Sequence, residues 1–289
     1  DYVFGGLGMI QSLQNKIDYS VDLLRRSEEM ALRLDPDNGF YLAFSGGKDS
    51  QALYHIAKLA GVRFKAHMSL TSVDPPEVIR FVKQNYPDVE LIKPKMSIYD
   101  MALKKHMLPT RTFRWCCAMY KEIHGDGKIT LTGVRWQESA RRSKLSEFEK
   151  GRNGNKNRYT GNFDQFADHN ETMISCMGNG KEKIILSPII RWTESDVWEF
   201  LNESGIKHCK LYDQGYKRIG CILCPMSKYS SKLKDIDRFP HVKKKWIDTI
   251  SKLIEQGKTK RNIIDAELGF RWWISGESFD KFYAKEVLQ

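Results

Sequence analysis

Two common nucleotide signatures are missing from this chain. Lys48 is followed by Asp49 rather than by Ser or Thr, and no glycine stands five residues before Gly47, so the usual phosphate loop of NTPases is absent. The G-x-G-x-x-G dinucleotide fingerprint is absent too. No apolar run approaches the thickness of a bilayer, which argues against a membrane protein. The opening residues, Asp1-Tyr2-Val3-Phe4-Gly5-Gly6, lack the basic and apolar stretches of a secretory signal, so a cytoplasmic location is expected. The first residue is not methionine, which suggests that a short native piece precedes it. No internal repeat is visible.

What is present begins with residues 40 to 50, Phe-Tyr-Leu-Ala-Phe-Ser-Gly-Gly-Lys-Asp-Ser. A short apolar strand runs into a glycine-rich, hydroxyl-flanked turn, and a helix is expected to start near Ser50. Glycines there let backbone N–H groups approach an anion closely, while Lys48 and the helix dipole add positive charge. The pattern predicts a nucleotide phosphate site at Ser45, Gly46, Gly47, Lys48 and Ser50. A plain strand-to-helix turn is the alternative.

A length of 289 residues with 41% apolar content allows one large α/β domain or a domain with an appendage. Lys and Arg number 47 against 36 Asp and Glu, a net charge of +11. That balance fits a polyanionic partner, nucleic acid included, and equally an ordinary basic surface. The densest basic stretch is Lys243-Lys244-Lys245, followed by Lys252, Lys258, Lys260 and Arg261.

Along the chain, residues 9–34 carry apolar positions at helical spacing and end at Asp35-Pro36-Asp37-Asn38-Gly39. Strand-like and helix-like patterns then alternate: strands at 40–44, 62–69 and 89–92, helices at 50–60, 75–85 and 97–105. This predicts an α/β fold, a mostly parallel sheet flanked by helices. A further strand ends at Thr132-Gly133-Val134-Arg135, placing Arg135 at the carboxyl edge of the sheet, where ligands of open α/β sheets bind. Residues 145–182 are polar and read as a mobile surface insertion containing a hairpin. Thr193-Glu194-Ser195-Asp196 caps a helix expected to seat Trp192 and Trp198 in the core. The expected organisation is an N-terminal helical segment at 1–38, a nucleotide-binding α/β domain at 39–205, and a smaller, mainly helical C-terminal region at 206–289.

Six cysteines stand at 116, 117, 176, 209, 221 and 224. An adjacent pair and a Cys-x-x-Cys in a chain of this size point to metal or redox chemistry rather than disulfides. Cys176, in the polar insertion, reads as a bystander.

Five blocks together resemble the phosphoadenosine phosphosulfate (PAPS) reductase family, the sulfonucleotide-reductase branch of the PP-loop ATP pyrophosphatases. They are Ser45 to Ser50, Cys116 to Lys121, Thr132 to Arg142, Pro188 to Trp198, and Leu211 to Pro225, in the family's order. The resemblance implies an adenine nucleotide alpha hydrolase-like fold and ATP, with Mg2+, as the nucleotide. It implies catalytic roles for Lys48, Asp49 and Arg135, with Gly133, Arg135, Glu138 and Arg142 completing the nucleotide site. Arg135 and Arg142 can present planar forks to phosphate or sulfate oxygens. Within the family, Cys-Cys followed later by Cys-x-x-Cys marks members that hold a [4Fe-4S] cluster, here on Cys116, Cys117, Cys221 and Cys224. Zinc, with Cys209 or His208 replacing one thiolate, and metal-free thiols stay open.

The chain departs from the reductases in one respect: no cysteine follows Cys224, whereas reductases use a C-terminal thiolate as nucleophile. The expected activity is therefore cleavage of ATP to AMP and pyrophosphate, adenylating an acceptor in sulfur transfer, with nucleic acid as one candidate acceptor. A reductase using an external thiol and a non-catalytic nucleotide-binding scaffold are the alternatives. A sulfur-donor protein or a thioredoxin-like reductant would be the partner.

Overall fold

The computed structural model describes residues 12–150, 159–164, 184–257, 259 and 263–287. Seven strands hydrogen-bond in the order β3-β2-β1-β4-β7-β5-β6. They are β1 (Phe40–Ala43), β2 (Phe64–Ser69), β3 (Glu90–Ile92), β4 (Ile129–Leu131), β5 (Phe148–Lys150), β6 (Tyr159–Gly161) and β7 (Ile184–Leu186). β1 pairs parallel with β2 and β4, and β4 pairs parallel with β7. β5 runs antiparallel to β7 and β6 antiparallel to β5, so residues 148–150 and 159–161 extend the main sheet. The polar stretch expected to be surface elaboration thus contributes sheet strands, and Phe148 and Lys150 are buried.

The chain divides into two compact units. The first comprises residues 1–67, 88–90 and 125–208. Its helices are α1 (Leu13–Leu34), α2 (Lys48–Ala60) and α6 (Glu194–Glu203). The sequence dictates the ends of α1: Ser12 Oγ accepts from Asn15 N, and Asp35 N closes the last turn on Ala31 O. Leu23, Leu24 and Ala31 on its buried face are fully enclosed, as are Phe40 and Leu42 on β1 and Leu53 and Ile56 on α2. Burial of such side chains contributes about 1.5–3 kcal/mol each.

The second unit comprises residues 68–87, 91–124 and 209–289. It contains α3 (Pro76–Asn85), α4 (Ile98–Lys105), α5 (Trp115–Tyr120), α7 (Tyr229–Arg238), α8 (Pro240–Glu255), α9 (Ala266–Ser275) and α10 (Phe279–Val287). Its core is aromatic: Trp246 packs on Trp273 with centroids 4.6 Å apart, and Tyr99 meets Trp246 edge-on at 4.9 Å. Gly269 lets α9 lie close, since a Cβ there would sit 2.7 Å from Ile263 Cγ2. Among the described residues, no helix is long and apolar enough to cross a membrane.

Of the two indoles expected in the core beside the cap of α6, Trp192 is enclosed, its Nε1 donating to Ser20 Oγ at 3.2 Å. Trp198 is only half-buried and meets His208 edge-on. The reason is helical phase: Val197, Phe200 and Leu201 form the inward stripe of α6 and leave Trp198 on its margin.

Candidate functional site

Strand order reverses between β1 and β4, and crevices at such switch points bind ligands in open α/β sheets. The segment leaving β1 is Phe44 to Gly47. Gly46 has φ +72, a left-handed conformation that glycine adopts at no steric cost. Gly47 is extended and caps α2 without a side chain, so the helix starts at Lys48, two residues earlier than expected. The backbone N–H groups of its first turn therefore open into the bend.

The serines stitch this bend together. Ser50 Oγ donates to Gly47 O at 2.8 Å and lies 3.1 Å from Ser45 Oγ, while Ser45 N donates to Ser50 Oγ at 3.2 Å. Gly47 N approaches Ser45 Oγ at 3.4 Å.

Asp49 and Arg135 form a short, buried contact at the site. Arg135 Nε donates to Asp49 Oδ1 at 2.6 Å, and only 3% of the Arg135 side chain is exposed. The same guanidinium reaches Trp192 O at 3.3 Å and Gln137 Oε1 at 3.4 Å through Nη1. Its geometry is that of a buried tie between two loops, and the fork expected to face a phosphate is occupied in large part by protein oxygens. Glu138 accepts from Arg135 N at 3.1 Å and pairs with the Arg142 guanidinium. Arg142 keeps 30% of its side chain exposed.

Gly133 is where the turn after β4 meets the bend after β1. A Cβ there would stand 2.8 Å from Asp49 O, so only glycine permits the approach.

Lys48 is almost fully buried, with Nζ 3.4 Å from Asp49 Oδ2 and 3.5 Å from Glu194 Oε1. Both separations exceed the 2.7–2.9 Å of a tight charge-assisted hydrogen bond. Glu194, missed in the sequence reading, opens the capped helix α6, and its N–H donates to Gln137 Oε1 at 2.6 Å. An acidic residue in the first turn of a capped helix is so common that nothing marked it as a neighbour of Lys48.

In the second unit, Cys116 and Cys117 lie on α5, and Cys221 and Cys224 close a turn in which Cys224 N donates to Cys221 O at 3.2 Å. All four are free thiols, as is buried Cys209. Leu223, between the second pair, has φ +56, and its N–H is held by Asp235 Oδ2 at 2.9 Å. Ile222 N donates to Val73 O at 2.7 Å, and Thr71 Oγ1 lies 3.4 Å from Cys221 Sγ. These contacts fix a left-handed kink that a β-carbon disfavours.

The thiols sense one another. Cys116 is pushed up, first by its hydrogen bond to Cys117, then by burial and by the charges of Cys117, Cys221 and Cys224. Cys117 is pulled down, first by the bond from Cys116 and, against the cost of burial, by Arg114. Lys121 is raised, first by the Cys221 sulfur. Cys209, raised by burial, has Glu77, Asp213 and Arg238 as its charged neighbours rather than the cysteine pairs. Cys176 lies outside the described residues.

Among the described residues, no three His, Cys, Asp or Glu side chains converge closely enough to hold a single metal ion. A zinc ion needs all its thiolates about 2.3 Å away. A cubane takes each thiolate on a different iron, so its ligands stand further apart. Four thiols within electrostatic reach of one another are a donor set that either group could use.

An uncharacterized protein of Methanocaldococcus jannaschii is 25% identical over 266 residues, covering 87% of this chain and 56% of that protein. Adenosine 5'-phosphosulfate reductase of Oceanobacillus iheyensis is 25% identical over 156 residues, 51% of this chain and 54% of the enzyme. The chain thus spans about half the length of the curated relatives it matches. Among solved structures, the U34-tRNA thiolase of Methanococcus maripaludis with its [4Fe-4S] cluster aligns over 92% of this chain and 82% of its own, at 13% identity and a TM-score of 0.42. The model of the phosphoadenosine phosphosulfate reductase domain matches residues 39–227, from β1 through the Cys-x-x-Cys turn, and the chain belongs to that family.

Proposed function

We propose that the chain is an ATP pyrophosphatase of its family, which transfers the adenylyl group of ATP to an acceptor and releases pyrophosphate in the course of sulfur transfer. The observation that carries this reading is the environment of Lys48. It is a buried ammonium at the N-terminus of α2, with Asp49 Oδ2 at 3.4 Å and Glu194 Oε1 at 3.5 Å. A phosphate oxygen entering the bend would compete with both.

ATP is taken as its Mg2+ complex. The N–H groups of the first turn of α2 and the Lys48 ammonium hold the β and γ phosphates, where charge accumulates as the bond from the α phosphorus to the bridging oxygen breaks. An acceptor oxygen attacks the α phosphorus, its proton passes to solvent, and pyrophosphate carries away the bonding pair. Asp49 acts as a positioning residue: it orients Lys48 and, through Arg135, holds the turn after β4 against the bend. Ser45 and Ser50 keep the bend open rather than contacting phosphate through their hydroxyls.

Cys116, Cys117, Cys221 and Cys224 are assigned to a [4Fe-4S] cluster. When bound, it would hold or deliver sulfide. Arg114 and Lys121 compensate thiolate charge at this place.

Two ATP analogues test the reading. With β,γ-methylene-ATP, AMP transfer and release of methylenediphosphonate are expected. With α,β-methylene-ATP, binding without cleavage is expected. Cleavage of neither analogue, with tight binding of both, would indicate a nucleotide sensor. The likeness to adenosine 5'-phosphosulfate reductases supports a second reading, reduction of a sulfonucleotide with an external thiol. Sulfite release in the presence of thioredoxin would select it.

A further inference from the structure

The positive charge of this chain is unevenly placed. Residues 104–121 and 217–234 hold ten of the 47 Lys and Arg and none of the 36 Asp and Glu. The other 253 residues are close to neutral, with 37 basic and 36 acidic side chains. The two segments are the ones that carry the cysteine pairs.

The second unit brings them together. Trp273 Nε1 on α9 donates to Pro109 O at 2.6 Å, and Lys232 Nζ donates to Ile274 O at 2.9 Å. Where α9 ends, at Gly276, Arg111 Cδ and Lys232 Nζ lie 3.7 and 3.9 Å from the position of a β-carbon. Lys104, Lys105 and Arg111 from the first segment and Lys217, Arg218 and Lys228 from the second are exposed. Among the described residues, none of these six forms an ion pair.

Exposed rings accompany the charge: Phe113 is 62% exposed and Tyr229 51%. The run singled out in the sequence is used differently. Lys243 pairs with Glu267 at 2.8 Å and Lys245 lies over the Tyr99 ring, while Lys258, Lys260 and Arg261 fall outside the described residues.

We propose that this face of the second unit binds single-stranded nucleic acid. Exposed cations that form no ion pair match phosphates, and the exposed rings next to them in sequence, Phe113 and Tyr229, offer stacking platforms that only unpaired bases can use. Binding at this face stands independently of the nucleotide reading. That the bound strand is the acceptor of the activated group does rest on that reading.

The test is fluorescence anisotropy with fluorescein-labelled 15-residue dT and U oligonucleotides, without ATP, between 50 and 300 mM salt. Saturable binding is expected, weakening with salt at a slope of about 0.7 per phosphate engaged. Lys104→Glu with Lys105→Glu, or Lys217→Glu with Arg218→Glu, should lower affinity at least tenfold and flatten the slope. Phe113→Ala and Tyr229→Ala should lower affinity with the slope unchanged. Lys244→Glu, an exposed lysine outside the two segments, should change affinity less than twofold. Absent binding, equal loss in Lys244→Glu, tighter binding of a 15-base-pair duplex, or displacement by poly-glutamate as effective as by unlabelled strand would overturn the proposal. The last result would point to an acidic protein partner. Because ATP is absent, failure here leaves the nucleotide reading intact, and a chain inert toward ATP can still bind a strand.

Discussion

Arg135 Nε stands 2.6 Å from Asp49 Oδ1, a bond that ties the turn after β4 to the first turn of α2. The arginine is buried, so removing either partner leaves a charge without its counterpart in a poorly solvated place. Arg135→Met is expected to lower stability less than Asp49→Ala, which strands the guanidinium and should cost about 3 kcal/mol. Denaturant midpoints of the two variants check the order. Arg135→Lys should fail to restore nucleotide affinity, because an ammonium cannot hold Asp49, Gln137 and Trp192 O together.

Gly133→Ala tests the close approach of the two loops. The added carbon would meet the Asp49 backbone, which cannot rotate away as a side chain can. Nucleotide affinity by calorimetry should fall at least tenfold, whereas Gly61→Ala, where the same atom meets nothing, should leave it unchanged.

Substitution of single cysteines separates ligands from bystanders. After anaerobic reconstitution with iron and sulfide, Cys116→Ser and Cys221→Ser should lose most bound iron and labile sulfide. Cys209→Ser, whose thiol has no cysteine among its charged neighbours, should retain both. Full cluster content in Cys221→Ser would contradict the assignment.

Asp196 gives a pH-dependent signature. Burial works to raise its pKa, but Lys16 at 2.6 Å and the Thr193 cap outweigh it and hold the carboxyl below the usual range. A folded-state pKa below the unfolded one means that the contribution is present above the unfolded value and is lost as pH falls through the folded value. Asp196→Asn should therefore be less stable at pH 7 by about 1 kcal/mol. The difference should shrink as pH falls below the usual carboxylate range, as urea midpoints at pH 7 and in acid will show.

Much of this was legible before the structure. Alternating apolar runs located β1, α2, β2, α3, β3 and α4 to within about two residues, because apolar periodicity and the Gly-Gly break are local signals. The Gly-Gly of Ser45 to Ser50 marked the bend between β1 and α2, where Gly46 is left-handed and Gly47 precedes the helix. The pairing of Asp49 with Arg135 was not legible, since 86 positions separate them and either could equally face solvent or ligand. A hairpin was expected within 145–182, but its strands at 148–150 and 159–161, three residues long and polar in part, gave no sign that they join the main sheet. The basic face was missed for another reason: consecutive lysines at 243–245 draw the eye, whereas the asymmetry at 104–121 and 217–234 lies in missing acids, and only the fold joins the two segments.

The account rests on bond breaking at the α phosphorus of ATP held by the bend after β1. Incubation of the cluster-loaded chain with Mg2+ and γ-labelled ATP, followed by separation of products, tests it directly. Label in pyrophosphate, with the adenylyl group recovered in equal amount as AMP or as an adenylated acceptor, and both abolished by Lys48→Ala, is the predicted result. Label in orthophosphate with ADP, or turnover indifferent to Lys48→Ala, would contradict it.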